Sequence, residues 1–183
     1  MGNLLDLTTV LLVTAAGLAT GIGAAVILFV KKITHRLHDS LIGFSAGLML
    51  AVTALILLPT ALGPNQENLI QTITGISVGV VILFIVEAKI THLHRIFGLE
   101  KSRSVKTSLM IALAILIHNL PEGFATGSAY SQGVTPLGNT VALAIALQNI
   151  PEGLIVAFPL VAVGVSVKRS FGFGVLSGAV EPV

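Results

Sequence analysis

Apolar residues in this chain come in long unbroken blocks, not in the alternating or one-faced patterns of half-buried strands and amphipathic helices. The runs are 7–30, 41–62, 69–86, 107–130 and 137–167. Each approaches or exceeds the roughly 20 residues that cross a hydrocarbon core of about 30 Å as helix. A last piece, 170–183, would reach only about 21 Å at about 1.5 Å per residue, so it reads as the start of a sixth span cut short. The pattern predicts an all-α transmembrane helix bundle, a single membrane domain over 1–183 with five full spans and part of a sixth. The N-terminus has no basic stretch of the signal-peptide kind, and Met1-Gly2 is followed by Asp6 where a myristoylation motif carries Ser or Thr. The first run is therefore read as a retained span.

Composition sharpens this. Of 183 residues 54% are hydrophobic and 10% charged, against about 25% charged in an ordinary soluble domain, and the mean hydropathy is +0.98. Such a chain cannot cover itself in water, which excludes a soluble globular enzyme. Having no cysteine, it holds no disulfide, thiolate metal site, iron–sulfur cluster or cysteine nucleophile. A sequence pI of 9.2 does not point to nucleic acid, because only 5% of residues are aromatic and the basic residues have another distribution. All ten Lys and Arg lie between alternate runs: Lys31, Lys32 and Arg36; Lys89, Arg95, Lys101, Arg103 and Lys106; Lys168 and Arg169. The other connections, 63–68 and 131–136, have none. By the positive-inside rule the basic loops are cytoplasmic and the N-terminus is outside, in a plasma or inner membrane.

Glycines spaced four apart, Gly17/Gly21, Gly43/Gly47, Gly75/Gly79, Gly123/Gly127 and Gly174/Gly178, occur in five of the six segments. They predict close helix packing in lipid. A more specific feature is a repeat: ALAILIHNLPEGF at 112–124 and ALAIALQNIPEGL at 142–154 agree at eight of thirteen positions. One short loop joins the two runs that hold them, so they run in opposite directions and the copies are related by a pseudo-two-fold axis in the membrane plane.

Within each copy the polar residues share one helical face, His118 and Asn119 with Glu122, and Gln148 and Asn149 with Glu152. A carboxylate at a helix centre costs about 2.5–3.5 kcal/mol in lipid, so Glu122 and Glu152 together require about 5–7 kcal/mol of compensation. No Lys or Arg lies inside any run, which leaves a bound cation, bound protons or water in a cavity. Pro121 and Pro151 each remove a helix hydrogen bond, freeing the carbonyls of Ile117 and Leu147. Paired breaks at corresponding positions mark transporter binding sites, since loosened backbone is tolerated only where it is buried or lines a cavity. Imidazole with carboxylate and carboxamide oxygens suits zinc, iron, manganese or cobalt better than magnesium or calcium, with zinc the usual partner of His plus Glu.

The pair HNLPEG and QNIPEG resembles the signatures of the ZIP (Zrt-, Irt-like protein) family of divalent metal transporters. Ala19-Thr20-Gly21-Ile22-Gly23-Ala24, Gly43-Phe44-Ser45-Ala46-Gly47-Leu48-Met49-Leu50 and Ser177-Gly178-Ala179-Val180-Glu181-Pro182 are similar to stretches in the same order, especially in its bacterial, GufA-like branch. The resemblance implies eight spans with both termini outside and a metal path through spans two, four, five and six. It implies one metal site of His118, Glu122, Gln148 and Glu152 with Met49 as a thioether ligand, and an adjoining site of Asn119, Asn149 and Glu181 that shares Glu122 and Glu152. The cargo it implies is Zn2+, with Fe2+, Mn2+ and Cd2+ as alternatives. Gln148 in place of a histidine makes the first site harder, and Asn149 in place of a carboxylate weakens the second. The partners it allows are a divalent metal ion, the lipid bilayer and a second copy of the chain, and none is nucleic acid.

His35, His38, His92 and His94 read as solvated loop residues, with a metal-receiving role as the alternative, and Glu87 as a snorkelling side chain. An intramembrane zinc protease would need His-Glu-x-x-His, which the chain lacks. The same residues also allow a proton-coupled carrier that works without metal, or a truncated relative that folds without transporting.

Overall fold

A computed structural model describes residues 7–30, 32–96, 103–131 and 133–182. The side chains of Glu87, His92 and His94 lie outside the described residues. Among the described residues every regular element is helical: α1 (Leu7–Ala25), α2 (His35–Val52), α3 (Leu58–Leu62), α4 (Leu69–Ile96), α5 (Arg103–Ala129), α6 (Pro136–Ala162) and α7 (Val167–Ala179). Five helical stretches are long and apolar enough to cross a membrane: Leu7–Leu28, His35–Leu62, Leu69–Val86, Thr107–Ala129 and Pro136–Ala162.

Local sequence explains the helix ends. The Thr34 and Thr135 hydroxyls accept from Leu37 N (3.2 Å) and Gly138 N (3.0 Å), capping α2 and α6, and Pro136 occupies a first-turn position where no N–H is needed. The apolar run 137–167 is helical only to Ala162, because Gly164, at φ 88°, stops it. Val165 N reaches Leu160 O at 2.9 Å and Gly164 N reaches Val161 O at 3.0 Å, the paired bonds of a Schellman terminus. Conversely, α4 and α5 reach past their apolar runs into the flanking polar residues. The second run is continuous from α2 to α3 through a wide π turn, Thr53–Leu57. Pro59 follows it, and its ring would clash with the Leu55 carbonyl in a regular helix, which the wider turn relieves.

The packed heart consists of α1, α5, α6 and α7, with α2 laid against α6. Cross-contacts of Ala112 with Val156 and Leu160, and of Tyr130 with Ala142 and Asn139, set α5 and α6 antiparallel. α6 is central and buries most of its middle, from Gln148 to Ala157 apart from Ile150. None of the residues of α4 from Leu69 to Val86 is buried.

Of the five glycine pairs, two meet each other. α1 and α7 cross with Gly17 against Gly178, Gly21 against Val175 and Gly174 against Ala24, an antiparallel contact in which a methyl group at Gly17 or Gly178 would strike the other's carbonyl. Gly123 closes on the Glu181 backbone, while Gly43, Gly47, Gly75, Gly79 and Gly127 face nothing within 4 Å. The spacing alone therefore does not produce close packing: α2 and α4 expose the faces that carry their glycines.

Candidate metal centre

The helical spacing of the repeat places its polar residues at the α5–α6 contact. His118 and Glu122, one turn apart on α5, hold Nε2 and Oε1 3.6 Å from each other. One ligand atom each from His118, Glu122 and Glu152 lie within 4.8 Å of one another. Two ligands of a tetrahedral zinc, each at about 2.1 Å, would sit about 3.4 Å apart, so the His118–Glu122 pair already has nearly the required span. Gln148, on α6, donates its Nε2 to Glu122 Oε1. From α2 the Met49 sulfur lies 3.1 Å from His118 Nε2. The four residues assigned to the first site, and Met49, are thus brought together. His118 keeps 39% of its side chain exposed while Glu122 keeps 5%, so the cluster is open on the imidazole side.

The residues assigned to the adjoining site are all buried, and Asn149 and Glu181 touch. Asn149 donates through Nδ2 to Glu181 Oε1 at 2.6 Å and to Ala16 O at 2.9 Å. Asn119 Nδ2 donates to Ser177 O at 2.8 Å. Glu181, just past the end of α7, is buried, and its side chain lies over Gly17, where an added methyl would come within 3.2 Å of Glu181 Cβ.

What these groups lack is as informative as what they touch. Asn119 Oδ1, Glu122 Oε2, Asn149 Oδ1, Glu152 Oε2 and Glu181 Oε2 are all buried acceptors without a hydrogen-bond partner. Unpaired buried polar atoms are rare, because each costs about 1–3 kcal/mol. The ion pairs among the described residues are His38–Asp39 and His118–Glu122, so no Lys or Arg neutralises the three glutamates there. Five oxygens that can only accept, three of them from carboxylates, form a donor set suited to cations.

The two copies of the motif also grip their neighbours alike. Asn119 binds the Ser177 carbonyl and Gly123 abuts the carbonyl of Glu181, four residues on. Asn149 binds the Ala16 carbonyl and Gly153 abuts that of Thr20, again four residues on. Each asparagine and glycine thereby seats the glutamate between them against a neighbouring segment.

Two contributors carry little signal in the sequence. Ser45, buried on α2, donates to Glu152 Oε1 at 2.7 Å; its signal is a hydroxyl one turn before Met49 in an apolar run. Gly17 makes the room for Glu181. His35 and His38 occupy the first turn of α2, with the nearest carboxylate that of Asp39, 3.7 Å from His38.

Comparison with known proteins finds likeness to zinc transporters. A family model described as ZIP Zinc transporter matches residues 98–183. The chain is 37% identical to a protein named Zinc transporter ZupT from Akkermansia muciniphila, over 97% of this chain and 73% of that protein. It is 35% identical to Zinc transporter ZupT of Streptococcus mutans, over 96% of this chain and 72% of the relative. With Zinc transporter GufA of Myxococcus xanthus it shares 32% identity, over 92% of this chain and 70% of the relative.

Proposed function

The chain belongs to the ZIP family of zinc transporters, and on that premise we propose that it carries a divalent transition metal, zinc first, across a membrane into the cytoplasm through a binuclear site between α5 and α6. Fe2+, Mn2+ and Cd2+ are secondary cargoes of the same donor set. The observation that carries the reading is the group of half-buried His118 with buried Glu122 and Glu152, surrounded by acceptor oxygens with no partner and by no cationic side chain among the described residues.

In this reading the first ion is held by His118, Glu122, Gln148 and Glu152, with Met49 completing its shell. Asn119, Asn149 and Glu181 face the second, and Glu122 and Glu152 bridge the two. A carboxylate has enough lone pairs to bind a cation and accept a hydrogen bond at the same time, so the single donors to Glu122 and Glu152 leave both side chains with acceptor capacity for the ions. Gln148 and Asn149 supply neutral oxygens, so the sites hold cations weakly enough to release them. The matching contacts of Asn119 with Ser177 and Asn149 with Ala16 support an inverted relation of the two halves. Alternating access follows if the α1, α5, α6 and α7 body shifts against α2–α4, which meets it mainly along α6. The basic residues at alternate helix junctions support an outside N-terminus and inward delivery in a plasma or inner membrane, and the unburied α4 leaves a face on which a second copy could pack.

The test is uptake of radioactive zinc by the purified protein in liposomes, paired with calorimetric zinc binding. Glu122→Ala should abolish both. Uptake equal to that of the unsubstituted protein would overturn the proposal.

A further inference from the structure

α2 is a lipid-type helix: Ile42, Phe44 and Leu50 are exposed, and its buried residues are Ser45 and Val52. A helix that exposes its phenylalanine and buries a serine is arranged around something polar. Ser45 Oγ donates to Glu152 Oε1 at 2.7 Å, and one turn further Met49 Sδ lies 3.1 Å from His118 Nε2. Both side-chain contacts join the α2–α4 segment to the α1, α5, α6 and α7 body, and both land on residues assigned to the first metal site.

We propose that Ser45 is the positioning residue for Glu152: its hydroxyl fixes Oε1, so that Oε2 remains free for the cation. The inference rests on the metal-site reading above and deepens it. A carboxylate on a long side chain has three torsions to lose on binding metal, and a hydrogen bond to the oxygen that does not ligate removes that freedom in advance. Gln148 of α6 does the same for Glu122 of α5 within one body, but the donor to Glu152 comes from another. Metal binding and the seating of α2 on α6 therefore share one bond: wherever α2 moves away from α6, Glu152 loses its donor and its hold on the ion weakens.

The test is calorimetric Zn2+ binding to the full purified chain in detergent, with melting of the metal-free protein measured alongside. Outer partners of metal ligands are worth about 10–100-fold in affinity, so Ser45→Val should raise the Kd by that factor. Ser45→Thr, equally branched but keeping the hydroxyl, should bind within about threefold of the unsubstituted protein. On a Glu152→Ala background Ser45→Val should have no further effect. Threonine and valine differ by one hydroxyl, so equal affinity of the two variants overturns the proposal even if both have altered melting. If Ser45→Val binds normally while Glu152→Ala has lost zinc, the role of Ser45 falls and the metal site stands. If Glu152→Ala also binds normally, the metal-site reading itself falls.

Discussion

Gly153→Ala tests the packing that holds the motif glutamates in place. A methyl group at Gly153 would lie 2.7 Å from Ala24 N and 2.8 Å from Thr20 C, and closer still to Thr20 O. Carbon atoms in contact sit at about 3.5–4.0 Å, so α1 and α6 must part by about 1 Å. The obstructing atoms are main chain within a helix and cannot yield by changing a rotamer. That shift would stretch the bond from Asn149 Nδ2 to Ala16 O, now 2.9 Å, beyond hydrogen-bonding range. Overpacking costs about 1–3 kcal/mol and an unmade buried bond about 1–3 kcal/mol. The better helix propensity of alanine returns about 0.5–1 kcal/mol, leaving a net loss of about 1–5 kcal/mol. The control is Gly127→Ala, which meets nothing within 4 Å and should be neutral or stabilising by up to about 1 kcal/mol. Unfolding in mixed detergent micelles, followed by circular dichroism, separates the two. Gly153→Ala as stable as the unsubstituted protein, or Gly127→Ala equally damaged, would refute the close-packing argument.

Three further outcomes are expected. Zinc needs a neutral imidazole and ionised carboxylates, so binding at His118, Glu122 and Glu152 displaces protons and affinity falls as the pH is lowered; calorimetry in buffers of different ionisation enthalpy counts the protons released, and pH-independent affinity would contradict the ligand set. Asn149→Asp removes both amide bonds and adds an unpaired buried charge, which should destabilise the metal-free protein by about 3–5 kcal/mol. Excess Zn2+ should restore much of that stability and add to the bound stoichiometry, whereas equal destabilisation with and without zinc would argue against a second ion beside Asn149. Met49→Leu keeps the volume but removes the soft donor, so Cd2+ affinity should fall more than Mn2+ affinity, and an unchanged Cd2+ to Mn2+ ratio would exclude the thioether as ligand.

The candidate site is legible in the sequence because lipid makes polar residues expensive: His118, Glu122, Gln148, Asn149 and Glu152 stand out from an apolar background, and helical spacing puts them on facing sides of two antiparallel helices. Helix partners are harder to read. The glycine pairs of α1 and α7 look no different along the chain from those of α2 and α4, yet only the first two close on each other, since what a glycine meets depends on which helix the fold brings to it. The stop at Gly164 is hidden for a related reason: α6 ends at a left-handed glycine while the apolar run continues to Val167, so hydropathy and backbone geometry disagree and geometry sets the boundary. Ser45 is a third case. One hydroxyl in a membrane helix usually bonds back to its own backbone, as Thr60 and Thr74 do, and only the position of Glu152 distinguishes Ser45 from these.

The Asn-x-Pro-Glu-Gly motif owes its distinctness to performing two kinds of work within five residues. Asparagine ties the helix to a neighbour's carbonyl, and glycine admits that neighbour's backbone. Proline frees a carbonyl a turn earlier, and glutamate is left between these anchors with an oxygen unpaired. Replacing the asparagine or the glycine therefore perturbs these anchors as well as the glutamate between them, while replacing Glu122 leaves both anchors of its helix in place. Of the two motif glutamates, Glu122 is thus the position where loss of zinc can be measured in a fold that still stands, because Glu152 also holds α2 through Ser45.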